Sequence, residues 1–135
     1  MRSILFSIQL VLIACSGLAQ CEESVRAAEL ALGNQFIADP KYLEAKLEEG
    51  DTLSFETVWH AKNTYRIATS ANQNQRINML LFDENDNLLY DNSNFGFAEG
   101  WTFFVEHSMT VRCVIRSLSK DKTPFCLTVI NGFKK

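Results

Sequence analysis

Two prolines and two histidines in 135 residues already narrow what this chain can be. Scarce proline beside plentiful aromatic and β-branched residues points to a packed domain rather than a disordered tail. No C-x-x-C pair occurs, so neither a dithiol redox centre nor a cysteine-ligated zinc site is indicated. No G-x-S-x-G elbow surrounds any serine, which removes the commonest local mark of a serine hydrolase. Basic excess is missing too: 13 Lys and Arg stand against 16 Asp and Glu, a net charge of -3. Nucleic acid is therefore not an expected partner. Beyond residue 14 there is no second long apolar run, so no integral membrane segment is expected after a leader is removed.

The apolar run that does exist lies at the start. Arg2 supplies a positive n-region, and Ile4 to Ala14 form an apolar h-region too short to span a bilayer. Cleavage after Ala19 places small residues, Gly17 and Ala19, at the positions a signal peptidase reads. A rival reading takes Leu12-Ile13-Ala14-Cys15 as a lipobox-like sequence, with Cys15 as a lipid-modified N-terminus. Both readings send the protein out of the cytoplasm, secreted or periplasmic. The expected division is a signal peptide over 1–20, an N-terminal helix and linker over 21–40, and a β-domain over 41–135.

Residues 22 to 37 read as the only helix, with Val25, Ala28, Leu32 and Phe36 at spacings of three and four. From Lys41 onward the period becomes two. About eight short strands follow at intervals of 8 to 12 residues, the spacing of an antiparallel β-sandwich. The clearest is a hairpin over Ile77 to Asn92, in which two apolar runs flank the polar knot Asp83-Glu84-Asn85-Asp86-Asn87. Odd-numbered residues are the more apolar set in nearly every strand, so they are assigned to the core. Trp59, Tyr65, Tyr90 and Trp101 are placed inward with them. Several later strands also carry large apolar residues at even positions: Leu80, Phe82, Phe104, Val114 and Ile130. A sheet apolar on both faces needs a second cover, and the helix is expected to supply it by lying over Leu80 and Phe82. The alternative is an exposed apolar patch for a partner.

Candidate chemistry is sparse, and no cofactor is called for. Export permits disulfides among Cys21, Cys113 and Cys126. If the last two strands form a hairpin, Cys113 faces the core and Cys126 faces out, so a direct bridge needs a bulge or another register. Cys21–Cys126 then becomes the other pairing, and free buried thiols a third reading. Asp83, Asn85 and Asn87 offer oxygens of the kind calcium prefers, but Leu88 and Asn94 break the EF-hand pattern; a solvated turn is the simpler reading, with no metal. His60 and His107 are the only histidines, and a small secreted hydrolase using one of them is the catalytic alternative. Phe95 and Phe97 differ from the other aromatics because they sit in a glycine-containing loop. Large aromatics there either fold back as a plug or meet a partner. They are the candidate ligand-binding residues.

Taken together, Glu49-Gly50-Asp51-Thr52-Leu53, Tyr65-Arg66-Ile67, the Leu80 to Leu89 hairpin and the closing strand Phe125 to Ile130 resemble the jelly-roll domains of the bacterial pre-peptidase C-terminal type. In those domains a D-x-x-G-N hairpin precedes a closing Y/F-x-L-x-V strand. Here Asp86 stands where that hairpin usually has glycine. The chain is also similar to small exported proteins of the Bacteroidota that share a leader, a short helix and this sandwich. The resemblance spans roughly residues 36 to 135 and implies a fold and an exported location, with no activity attached. The expected function is a non-catalytic binding or interaction module, its partner a glycan or protein of the cell envelope.

Overall fold

The computed structural model describes residues 16–39, 43–72, 75–118, 120 and 123–135. The expected leader as far as residue 15, with Cys15, lies outside the described residues. A helix α1 (Ser16–Leu32) is followed by strands β1 (Phe36–Ala38), β2 (Leu43–Leu47), β3 (Thr52–Trp59), β4 (Asn63–Ala71), β5 (Ile77–Phe82) and β6 (Leu88–Asp91). A 3-10 turn over Asn92–Phe95 leads to β7 (Gly100–Val105), β8 (Met109–Ser117) and β9 (Phe125–Lys134).

The strands form two antiparallel sheets packed face to face. One runs β1-β9-β4-β7 with β2 also alongside β9, and the other runs β3-β8-β5-β6. From β2 onward almost every connection crosses between the sheets, which is jelly-roll connectivity. Among the described strands, only β5 and β6 are consecutive and paired. The conditional hairpin of the last two strands does not form, because β8 pairs with β3 and β5 while β9 pairs with β1, β2 and β4. An all-β sandwich with one helix is therefore the architecture.

The odd-inward pattern holds through the whole core. Ile67, Met79, Leu81, Val111, Cys113, Ile115 and Leu127 are fully enclosed between the sheets. Tyr90 is an exception with a local cause. Leu81 pairs with Tyr90 but Phe82 pairs with Leu88, so Leu89 is an extra residue that shifts the register. A bulge of one residue exchanges the faces of everything beyond it.

The helix departs from expectation in extent and in position. It stops at Leu32, before left-handed Gly33, and Phe36 belongs to β1 rather than to the helix. Its buried face is Cys21, Ser24, Ala28 and Leu32, a helical stripe of mostly small side chains. That face lies on β4 and β9, over Ala68 and Ile130, and not over Leu80 and Phe82 on β5. The reason is complementarity of size. The outward residues of β4 and β9 beneath the helix include the small Ala68, Thr128 and Gly132 around one large side chain, Ile130, and a β-carbon added at Gly132 would come within 2.7 Å of Leu32 Cδ1. Ser24 Oγ and Thr128 Oγ1 share a 2.7 Å hydrogen bond, and a disulfide joins Cys21 to Cys126. Arg66 donates from Nε to the Ala31 carbonyl at 2.9 Å, placing a cation at the negative end of the helix. Of the other even apolar residues, Leu80 is buried without the helix, Phe82 lies under the Arg112 guanidinium at 4.7 Å, and Phe104 is 59% exposed.

Candidate functional site

Strands β6 and β7 are the terminal strands of their sheets, and the 3-10 turn between them bridges the open side of the sandwich. Aromatic rings fill that opening. Trp59 stacks on Tyr65 at 5.2 Å between centroids and meets Phe103 at 5.3 Å. Phe103 and Tyr90 meet edge to face, and Tyr90 stacks with Trp101 at 5.4 Å. Phe95 closes the series, 4.5 Å from Trp101 and 5.5 Å from Tyr90. The rings form one continuous path from the core to the surface. Outside it, Leu88, Leu89, Tyr90, Phe95, Trp101 and Phe103 line a groove of about 480 Å³.

Phe95 is folded back on these rings and yet 49% exposed. Its position is fixed by the turn that carries it. Asp91 caps the turn, accepting at Oδ1 from Ser93 N at 2.9 Å and from Ser93 Oγ at 2.7 Å. These hydrogen bonds, the Ser93 hydroxyl first, hold the Asp91 carboxyl below its ordinary range. Gly96, left-handed at φ 66°, lets the chain leave the turn sharply. Asn92 is fully buried beneath. Its Oδ1 accepts from Met79 N at 2.8 Å and from Asn78 Nδ2 at 3.0 Å, and its Nδ2 donates to the Ile77 carbonyl at 3.2 Å. A side chain thus extends the β5–β6 ladder by one residue after β6 has ended. Tyr90, at the groove floor, has a buried hydroxyl with no partner among the described residues, and burial raises its pKa.

Phe97 goes elsewhere. It adopts a left-handed backbone at φ 57° and lies under the Arg76 guanidinium at 4.8 Å, lining a separate, more polar pocket with Arg76 and Glu99. The two candidate phenylalanines are two residues apart and do not share a site. Leu88 and Leu89, by contrast, belong to the groove and Asn92 to its support; the leucines carry no mark in the sequence beyond apolar side chains after a turn, and Asn92 none beyond a polar one at the end of the run.

The remaining candidates fall into structural settings. Asp83 binds its own turn: Oδ1 accepts from Asn85 N and Asn87 N, and Oδ2 from Asn87 Nδ2, each at 2.9 Å. The Asn87 side chain is the largest cause of its lowered pKa. Asp86 takes the left-handed conformation at φ 61° that glycine would otherwise supply. Among the described residues no cluster of three His, Cys, Asp or Glu could hold a metal ion. Cys113 is free and buried, and burial pushes its thiol up to about 12. His60 lines a cavity of about 480 Å³ with Asp39, Tyr65 and Phe133, and Tyr65 Oη accepts from His60 N rather than from the imidazole. His107 lies exposed in the β7–β8 turn, where its neighbour Ser108 accepts at Oγ from Ala61 N at 2.8 Å.

No protein-family model matches the chain, and no curated protein does. Among solved structures it is similar to Aeromonas hydrophila PliG, a periplasmic lysozyme inhibitor of g-type lysozyme. The TM-score is 0.54 at 11% identity, over 70% of this chain and 85% of that one. The likeness is one of fold. It places most of the neighbour's chain on the sandwich described above, and among the described residues no helix is long and apolar enough to cross a membrane.

Proposed function

We propose that this is an exported, non-catalytic binding module of the cell envelope, and that its contact surface is the aromatic groove at the β6–β7 opening. The observation that carries the reading is Phe95: a half-exposed aromatic ring, stacked on Tyr90, tilted against Trp101 and held by a capped, internally bonded turn. A pre-set aromatic anchor loses little entropy on binding, which is what makes such residues dominate interfaces. The leader-like start of the sequence supports export. The fold shared with a periplasmic inhibitor of g-type lysozyme supports a protein partner over a small molecule, and makes a g-type lysozyme the first partner to test.

The test is a binding titration of the purified mature protein against a g-type lysozyme, read with a cell-wall clearing assay, beside glycan and peptide arrays. Binding in any arm should weaken about 30-fold in Phe95→Ala, the roughly 2 kcal/mol of an aromatic anchor. Binding unchanged in that variant removes the groove from the reading. Turnover of a cell-wall or ester substrate that disappears in His60→Ala or His107→Ala replaces the whole reading with a small secreted hydrolase.

A further inference from the structure

Strand β7 is an edge that lacks the usual protection. The Thr69 N–H donates to the Glu99 carbonyl at 2.6 Å. In an antiparallel ladder a residue's N–H and C=O point the same way, and the direction alternates along the strand. Odd residues of β7 therefore turn toward β4, while Gly100, Thr102 and Phe104 turn their main-chain groups outward. Among the described residues no strand lies beyond them. Proteins shield such edges with charge, proline or shortness. Here β1 has three residues, β2 carries Glu44 and Lys46, β3 carries Glu56, and β6 has four residues ending at Asp91. Gly100–Val105, G-W-T-F-F-V, has neither charge nor proline.

We propose that β7 pairs antiparallel with β7 of a second copy of this chain, about a two-fold axis at Thr102. In that register Thr102 faces Thr102 of the second copy, Gly100 faces Phe104, and Trp101 faces Phe103, so every outward N–H and C=O of the three even residues is met. The outer face fits as well. The Arg66 guanidinium lies over Gly100, so close that a β-carbon there would sit 2.7 Å from Nη2. It is held in place by the Ala31 carbonyl and by Thr102 Oγ1. The exposed Phe104 ring of the second copy, directly across from side-chain-free Gly100, lands against that guanidinium, a cation–π contact and an aromatic–glycine cross-strand pair. Charges do not oppose it: Glu99 faces Val105 and Glu106 faces Ala98, so no carboxylate meets another. The dimer would use the same strand whose Trp101 and Phe103 line the groove, but sedimentation without lysozyme tests assembly separately from the binding titration.

Sedimentation of the mature protein over a dilution series should show a dimer that dissociates on dilution. Thr102→Pro deletes an outward N–H and leaves the β4 ladder intact, and Phe104→Lys sets a cation against Arg66. Both should sediment as monomers with unchanged circular dichroism. Thr102→Cys should form a disulfide-linked dimer on mild oxidation, because directly opposed hydrogen-bonded residues lie about 5.5 Å apart between Cα atoms; Phe104→Cys should not. A wild-type monomer at every concentration, a dimer that survives Thr102→Pro and Phe104→Lys, or crosslinking as efficient in Phe104→Cys as in Thr102→Cys overturns the proposal. Pairing of the edge with a segment of another protein, and not with itself, overturns it too.

Discussion

Replacing Asn92 with leucine should cost the protein a large share of its stability and unfix the candidate groove together with it. The two side chains share the same branching and heavy-atom count, leucine being the larger, so the change removes polar partners without opening a cavity. Asn92 is fully buried. Its loss strands the Met79 N–H, bonded at 2.8 Å, inside β5, and it removes a donor from the Ile77 carbonyl at 3.2 Å. Asn78 Nδ2 keeps its second acceptor, Asp91 Oδ1 at 2.9 Å. One stranded buried donor costs about 1–3 kcal/mol and each further lost bond about 1 kcal/mol, so the total is about 3 kcal/mol. For a domain of this length that lowers the midpoint by about 10–15 °C. Differential scanning calorimetry measures the shift, and amide exchange at Met79 should accelerate in step. Near-ultraviolet circular dichroism should report looser packing of Tyr90, Phe95 and Trp101. A fall below about 3 °C, within the range of an ordinary surface change, would refute the assignment of Asn92 as the pin of this turn.

Other outcomes follow from the same geometry. The Cys21–Cys126 bridge spans 105 residues, so a reductant, or Cys21→Ser with Cys126→Ser, should lower unfolding free energy by about 2–4 kcal/mol; denaturant titration with and without reductant reads it, and an unchanged midpoint would show the helix held by packing alone. Asp83, with its folded pKa below the ordinary 3.8, stabilises the fold when ionised, so its contribution is present above pH about 4 and fades as pH falls through the lower folded value. Comparing wild type with Asp83→Asn, the stability gap should close on acidification, and a gap that widens contradicts the sign. Tyr90→Phe removes a buried hydroxyl that has no partner among the described residues, and should leave stability unchanged or raise it by about 1 kcal/mol; a loss above that in thermal melts would mean the hydroxyl is bonded.

Period and parity were legible because they are local. Alternation sorts side chains one residue at a time, and the odd set named from sequence is the set enclosed between the sheets. What failed was whatever depends on distant pairing. In this connectivity consecutive strands mostly lie in opposite sheets, so chain order suggests β8–β9 neighbours where the structure has none. Tyr90 is inward as its aromatic character suggests, but the bulge at Leu89 that allows an even residue there has no sequence signature beyond an apolar pair. Phe95 and Phe97 look equivalent in sequence. The capped turn before Gly96 and the left-handed backbone at Phe97 send one to the groove and the other to Arg76.

The misplaced helix has the most instructive cause, and it bears on which surface stays open. Bulky even residues on β5 suggest a face needing cover, whereas helix α1 lies on the face where one bulky even residue, Ile130, is ringed by small ones. A helix carrying Cys21, Ser24 and Ala28 approaches closely only where the sheet offers Ala68, Thr128 and Gly132, and close approach is what yields dense contact. Small residues flanking a large apolar one, Ile130, at outward positions of two central, adjacent strands are therefore the better sign of a docking helix than large residues alone. The choice has a further consequence at the sheet edge. The helix covers β4 and β9, and Arg66 links it to β7, donating to Ala31 on one side and Thr102 on the other. Phe104 lies past that reach and stays exposed beside an uncharged edge. Had the helix lain over β5, Arg66 would have had no helix carbonyl to hold it, and Gly100 no ordered cation above it. The same packing that stabilises the helix thus leaves the β7 edge bare and sets beside it a fixed charge, Arg66, that an incoming aromatic ring can use.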